Sequence, residues 1–280
     1  MNWLTEPLGY AFFVRGLIAG LALGAATGAV GVFVVLRRMS YIGHGMSHSL
    51  LGGIAVALAL GQSVYLGAAA ATALSALLID RVSRARGLGG DAAIGIVTTG
   101  MFAFGVAVLG WAQASGATAE SLLFGSVLGV RALDMAVALA GSAAVGVVLF
   151  VAWKRLVFTA FDPVVAAVQG VRTAWTQALL NLLVAGVVVV GVRLLGVLMI
   201  AAAVVIPAAA ARLLSHRIGR VLGLAALIGA LSQVAGLYVS WHADVPSGAA
   251  VVLLAVFLFL LAAFASSITR RGRLAAARRM

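Results

Sequence analysis

What most constrains this chain is the recurrence of apolar stretches about as long as a bilayer is thick. They run over residues 10–36, 44–60, 62–79, 93–112, 134–153, 176–192, 197–214, 221–240 and 248–268, with short connections between them. A helix advances ~1.5 Å per residue, so ~20 apolar residues cross ~30 Å of hydrocarbon. Composition supports the same reading: 64% of the 280 residues are hydrophobic and 9% are charged, where soluble domains carry roughly 25%. With a mean hydropathy of +1.19, the chain has too little polar surface for water and has to be solvated by lipid. The expected fold is all-α, a polytopic membrane helix bundle of about nine transmembrane helices, eight being possible. Residues 1–280 read as a single transmembrane domain ending in a basic tail, 269–280. The first seven residues carry Glu6 and no cation, which does not suit a cleavable signal peptide.

The stretch 176–214 decides the count. As one straight helix its 39 residues would reach about 58 Å, far beyond the hydrocarbon core. The division falls at Arg193-Leu194-Leu195-Gly196, and the positive-inside rule tests it, because the parity of the spans decides which loops share a face. With nine spans, sixteen of the nineteen Lys and Arg residues fall on one face, in the loops around Arg37, Arg81, Lys154 and Arg212 and in the tail. Only Arg15, Arg131 and Arg193 join Glu6, Glu120, Asp134 and Asp244 on the other. The chain is therefore expected in the cytoplasmic (inner) membrane as a multi-pass protein, N-terminus outside and C-terminus in the cytoplasm. Its net charge of +12 then records topology, and no nucleic-acid partner is expected. A short apolar run, 122–130, is too short to cross and is expected to be re-entrant or interfacial. Phe161-Asp162-Pro163 reads as a helix start, with aspartate as the N-cap and proline in the first turn.

Ionisable groups at membrane depth are costly and point to function. Three places carry candidates. In Gly43-His44-Gly45-Met46-Ser47-His48, the two histidines stand four residues apart, on one helix face. Two imidazoles at that spacing suit one zinc, nickel or copper ion, while manganese prefers oxygen donors; hydrogen bonds to neighbouring helices explain the pair as well. Pro207, inside Val205-Ile206-Pro207-Ala208, removes a backbone donor and is expected to break or kink its span, leaving a short helix with a basic end. Trp241-His242-Ala243-Asp244 lies on the opposite face, where His242 and Asp244 suit a metal or a partner, or simply an exposed turn closed by Pro246-Ser247-Gly248.

Several chemistries are excluded. The chain has no cysteine, so thiolate metal sites and thiol catalysis are absent. Its one lysine, Lys154, follows Val-Ala-Trp, so there is no phosphate-binding G-x-x-x-x-G-K loop. No G-x-S-x-G or H-E-x-x-H occurs. The chain reads as a non-enzyme, and any ATP hydrolysis that drives it has to come from a partner.

The run Arg37-Arg38-Met39-Ser40-Tyr41-Ile42-Gly43-His44-Gly45-Met46-Ser47-His48 resembles a segment of the zinc/manganese permease family of ABC importers. Further pieces follow in the family's order: Asp91 to Val97, Leu122-Leu123-Phe124-Gly125, Phe161-Asp162-Pro163, Gly196-Val197-Leu198 leading to Pro207 and Ala211-Arg212-Leu213-Leu214, and Pro246-Ser247-Gly248. The resemblance covers roughly residues 10–268. It implies a homodimeric membrane domain with a pathway between its copies, a cytoplasmic ABC ATPase subunit and an extracytoplasmic metal-binding protein.

In family terms His44 and His48 fall on pathway positions that bind metal transiently, with His44 standing where the family usually has aspartate. The region after Pro207 looks like the ATPase-coupling region of the related cobalamin and siderophore permeases, which makes Arg212, Leu213 and Leu214 the docking candidates and Arg217 and Arg220 their charged rim. Trp241, His242 and Asp244 fall on the binding-protein side. The expected function is import of a divalent metal ion, zinc or manganese, by alternating access, with no permanently bound cofactor. The alternatives are a permease for a metal chelate such as a siderophore or haem, and an ATP-independent secondary metal carrier.

Overall fold

The structure is a computed structural model that describes residues 3–37, 40–83, 90–112, 116–126 and 129–277; the side chains of 40–44, 80, 90–91, 116–119 and 269–277 are outside the description. Among the described residues there are only helices and their connections. After a 3-10 turn, Pro7–Gly9, come α1 (Ala11–Leu36), α2 (Ser40–Ala59), α3 (Val64–Ser83), α4 (Gly90–Trp111), α5 (Gly116–Phe124), α6 (Ala132–Phe161), α7 (Pro163–Val168), α8 (Thr173–Leu214), α9 (Ile218–Ala243) and α10 (Ser247–Ala277). Seven of these are long and apolar enough to cross a membrane, and the apolar part of α2, Gly45–Ala59, is a shorter eighth.

The 42 residues of α8 do not form one rod. Gly196 sits at φ 77°, ψ 161°, a region essentially closed to residues with a Cβ. Beyond it the chain folds back, so that a Cβ built on Gly191 would lie 2.5 Å from Ile200 Cδ1. In a continuous helix residues nine apart are ~13.5 Å apart along the axis. The arms 173–195 and 197–214 are therefore antiparallel neighbours, and counting them separately gives nine apolar helical segments among the described residues. Pro207 does not break the helix as the sequence suggested: every residue of the second arm keeps helical dihedrals. It is held there by α1, whose Gly31 would place a Cβ 1.9 Å from the Val204 carbonyl oxygen and 3.2 Å from Ala208 Cβ. Close packing of this kind lets a membrane helix tolerate proline.

Two other glycines enclose the reversal. A Cβ on Gly125, itself at φ 77°, would meet the Leu194 carbonyl oxygen at 2.4 Å, and one on Gly248 would meet the Leu195 carbonyl oxygen at 2.1 Å and that of Phe124 at 2.4 Å. The carbonyls freed where the first arm ends are satisfied across the same contacts. Ser247 Oγ donates to the Leu194 oxygen at 2.9 Å, and the Ser126 N–H donates to the Arg193 oxygen at 3.4 Å. The apolar run expected over 122–130 thus differs in register: the helix is Gly116–Phe124 and stops at Gly125, because Gly125 has to turn under the α8 bend.

Small residues also bring the long helices together, as close backbone approach in lipid requires. Along α1, a Cβ on Gly24 would lie 2.4 Å from the Gly229 carbonyl oxygen and one on Gly28 2.1 Å from that of Ala225, so α1 and α9 run antiparallel in near-backbone contact. α2 meets α3 at Gly53 and Gly67, and meets α4 at Gly45, Gly52 and Gly105. The expected start of α7 is observed, with Asp162 Oδ1 accepting from the N–H groups of Val164 and Val165 at 3.0 and 2.9 Å. The bundle has two distinct ends. One carries the N-terminus, α5, Asp134 and Asp244; the other carries Arg37, Arg81, Arg155, Arg172, Arg212 and Arg217. We refer to them as the acidic and the basic end.

Replacing Gly248 by alanine drives a methyl group into two backbone oxygens. The expected cost is about 2–3 kcal/mol, read as a lowered thermal midpoint in detergent, whereas Gly223→Ala, which meets nothing within 4 Å, leaves the midpoint unchanged.

Candidate metal pathway and its two ends

The two histidines of the sequence motif stand on α2. Because α2 is helical throughout, positions 44 and 48 share a face, although the side chain of His44 lies outside the described residues. His48 is half-buried, three residues into the apolar part of α2, Gly45–Ala59. Its ring centroid lies 5.3 Å from that of Phe102 on α4. Gly45 makes this approach possible: a Cβ there would sit 2.8 Å from Ile94 Cγ2. Among the described residues no three His, Asp or Glu side chains converge on a point where a metal ion would be enclosed. Among the described residues, this level of the bundle carries one imidazole, from α2.

At the acidic end a cavity of about 450 Å³ opens above the α8 reversal, lined by Phe13, Glu120, Ser126, Trp241, Asp244 and Ser247 among others. Of the three residues expected on this side, Trp241 and Asp244 line the cavity. Trp241 is wedged among aromatic rings, with centroids 5.0 Å from Tyr10 and 5.6 Å from Phe13. His242 faces elsewhere: its Nε2 is 3.1 Å from the Trp3 carbonyl oxygen and its ring stacks on Trp3 at 4.3 Å. It anchors the N-terminal segment. Asp244 also closes α9, at φ 52°, a left-handed cap that aspartate tolerates better than most residues. The second carboxylate of the cavity, Glu120, comes from α5. In the sequence, charge parity places it on the same face as Asp244, and the fold brings the two to one cavity.

A buried polar cluster at the same end ties three helices. Asp134, 4% exposed, accepts from Tyr65 Oη of α3 at 2.7 Å on one oxygen and from the Arg131 N–H at 2.9 Å on the other. Arg193 Nε, beside the reversal, lies 3.8 Å from Asp134 Oδ1. Positive-inside reasoning places Asp134, Arg131 and Arg193 on one face; their convergence on Tyr65 needs the fold. Burying a carboxylate in this way requires both the hydrogen bonds and the counter-charge.

The basic end has its own tie. The Arg37 guanidinium donates to Gln177 Oε1 and to Thr159 Oγ1, joining the ends of α1, α6 and α8. Burial lowers its pKa from the usual arginine value. Nearby, the second arm of α8 ends in Arg212, Leu213 and Leu214; both leucines are exposed. Ser215 Oγ accepts from the Arg217 N–H at 3.3 Å, turning the chain into α9. Pro207 is buried and serves the packing below this surface. His216 is exposed at its rim, as a solvated residue would be.

Removing Asp134 leaves Arg193 without its counter-charge and the Arg131 N–H without an acceptor. Asp134→Ala is expected to cost about 3 kcal/mol and Tyr65→Phe about 1 kcal/mol, measured as loss of thermal stability in detergent.

The geometry has close counterparts. A family model described as the ABC 3 transport family matches residues 9–266. The manganese transport system membrane protein MntC of Halalkalibacterium halodurans is 35% identical over 94% of this chain and 90% of its own length. The manganese import system permease protein ScaB of Streptococcus parasanguinis is 32% identical over 94% of both, and a probable iron transport system membrane protein of Haemophilus influenzae is 29% identical over 94% of this chain and 93% of its own. Among solved structures, PsaBC from Streptococcus pneumoniae in complex with Fab superposes with a TM-score of 0.87 at 30% identity, covering 93% of this chain and 94% of that one. An inward-facing putative metal-chelate type ABC transporter shares the fold, with a TM-score of 0.73 at 17% identity over 90% of this chain and 85% of that one. The family match runs from the start of α1 almost to the end of the apolar part of α10, and this chain belongs to the ABC 3 transport family.

Proposed function

We propose that the chain is the transmembrane subunit of an ATP-binding-cassette importer that moves a divalent metal ion of the manganese and zinc class by alternating access. The observation that carries this reading is full-length similarity to permeases named for manganese transport, together with the imidazole of His48 in the apolar part of the helix that bears the motif. Residues 1–280 act as a single membrane domain in the cytoplasmic membrane, with the basic end in the cytoplasm, as the positive-inside rule favours. His44 and His48 are the transient ligands. Among the described residues of one chain no three donors converge, and a second copy across a two-fold axis completes the site, giving a homodimer with the pathway between its protomers.

Each end has a partner in this reading. At the basic end the exposed Leu213 and Leu214, flanked by Arg212 and Arg217, dock the cytoplasmic ATPase, while Pro207 fixes the helix that presents them. At the acidic end Trp241, Asp244 and Glu120 form the vestibule that receives metal from the extracytoplasmic binding protein; His242 contributes by holding the N-terminal segment against it. ATP binding in the partner moves the second arm of α8, and the pathway opens alternately to each side. The metal is cargo, and no resident cofactor is required.

His44 determines selectivity. An aspartate there supplies a hard oxygen donor and a negative charge, which manganese favours over imidazole nitrogen. In proteoliposomes containing this chain with its ATPase and binding protein, His48→Ala is expected to lower ATP-dependent metal uptake about 10–100-fold. His44→Asp is expected to shift preference from zinc towards manganese; unchanged relative rates for the two metals would remove His44 from the selectivity role.

The docking surface is tested separately. Arg212→Glu is expected to abolish co-purification with the ATPase and coupled hydrolysis while the thermal midpoint of the permease stays within a few degrees of wild type. Retained coupling would move the contact away from the end of α8.

A further inference from the structure

The buried cluster of Tyr65, Asp134 and Arg193 joins parts of the bundle that otherwise meet little. α3 packs on α2 and α4, and α6 packs on α1 and α8; among the described residues α3 and α6 do not pack along their lengths. Their link is the Tyr65 Oη donation to Asp134 Oδ1 at 2.7 Å, made where both helices begin at the acidic end. Close beside it, α3 is clamped to the helix that bears the histidine motif. A Cβ on Gly67 would lie 2.4 Å from the Gly53 carbonyl oxygen, and one on Gly53 2.2 Å from that of Gly67. Gly53 stands five residues after His48 on α2, ~7.5 Å along the axis. On α2 a Cβ at Gly52 would meet the Met101 carbonyl oxygen of α4 at 2.8 Å, and one at Gly105 of α4 would meet the Leu51 carbonyl carbon at 2.6 Å. α2 also packs on α8, but its described glycines meet α3 and α4 and none meets α8. Helices interlocked at backbone distance shift as a body more readily than they separate. α2, α3 and α4 thus make one interlocked unit that carries His48.

The other side of the cluster belongs to the α8 reversal. Arg193 stands three residues before Gly196, its carbonyl oxygen accepts from the Ser126 N–H, and Ser126 lines the cavity at the acidic end. The ion pair is loose. Arg193 Nε is 3.8 Å from Asp134 Oδ1, outside hydrogen-bond distance. The arginine is 33% exposed, and its Nε has no hydrogen-bond partner among the described residues. A buried charge pair adds little net stability, and its best-attested use is to set a register or a switch. One hydrogen bond and one loose ion pair are weak enough to be broken and remade in every transport cycle. We propose that Tyr65, Asp134 and Arg193 form a latch that shuts the acidic end. Made, it holds the α2–α3–α4 unit against α6 and the α8 reversal; released, it lets that unit move away and the pathway open to the acidic side. Tyr65 is thereby a positioning residue for the helix that bears His48. The latch rests on the alternating-access reading and is independent of which metal is carried.

The chain has no native cysteine, so Tyr65→Cys with Asp134→Cys places one reactive pair at the latch. A bifunctional methanethiosulfonate joins the two through disulfides that dithiothreitol removes. In proteoliposomes with the ATPase and the binding protein, the joined chain is expected to lose ATP-dependent metal uptake and, on reduction, to regain the rate of its unjoined form. A purely structural tie would give the reverse, since joining the helices restores it. The latch is overturned if the joined chain transports at the unjoined rate. It is also overturned if either single-cysteine variant loses as much with the same reagent, which would mean bulk at one position. A second measurement needs no uptake. Spin labels on Gln62→Cys, in the α2–α3 turn, and Leu133→Cys, at the start of α6, both exposed, report the separation of the two sides by electron paramagnetic resonance. With the ATPase bound, that separation is expected to differ between nucleotide-free and nucleotide-trapped complexes. In the permease alone, Tyr65→Phe is expected to shift the ratio of near to far populations about fivefold, the worth of one hydrogen bond. One unchanged separation in every state, with Tyr65→Phe as wild type, overturns the latch even where the double-cysteine variant is inactive. Absence of ATP-dependent uptake by wild type overturns the importer reading instead, and the spin labels in the permease alone then decide the latch.

Discussion

The bundle depends on a buried chain reversal at its acidic end. Where α8 turns back at Gly196, beside the buried Leu194 and Leu195, the carbonyls at the end of the first arm lack the next helical turn and need other donors. The surrounding elements supply what is missing. Ser247 and Ser126 donate to two of those oxygens, and Gly125 and Gly248 have no side chain because the same oxygens occupy that space. One constraint therefore fixes where α5 stops, where α10 starts and how the two arms of α8 pack. It also builds the floor of the cavity at the acidic end, since Gly125, Ser126 and Ser247 are shared by both.

From that reversal the second arm of α8 runs back through the bundle, held along its length by α1, and emerges at the basic end as Arg212, Leu213 and Leu214. The two ends are thereby joined by one short rigid element. Polar ties at either end, Asp134 with Tyr65 and Arg193, and Arg37 with Gln177 and Thr159, hold neighbouring helices to the first arm of α8. Between them lies the level of His48, where the described side chains offer no closed cage.

Much of this was legible residue by residue, yet the reasons lay elsewhere. The Leu-Leu-Phe-Gly, Gly-Val-Leu and Pro-Ser-Gly pieces stand about seventy and fifty residues apart in the chain, and nothing in their order says that they are three sides of one contact. Pro207 looked like the breaking point of its span because an isolated helix would bend there; packing against Gly31 overrides that tendency. The true break, Gly196, was recognised only through length and charge parity. Trp241, His242 and Asp244 read as one group from their proximity, but an α-helix turns 100° per residue, so His242 faces the N-terminal segment while its neighbours line the cavity. Tyr65 carried no sequence signal and Glu120 only a face shared with Asp244, since their roles come from helices far apart in the chain.

The sequence by itself determined that this chain is a helical membrane protein, how many apolar segments it has and which loops share a face. These follow from local quantities, the length of apolar runs and the cost of moving arginine across lipid. It also carried the motifs that mark the family. Tertiary structure alone decided which glycines are indispensable, which carboxylates meet and which of the expected site residues face a cavity, because in lipid the contact surfaces are made by small residues whose importance is visible only against the backbone they allow to approach.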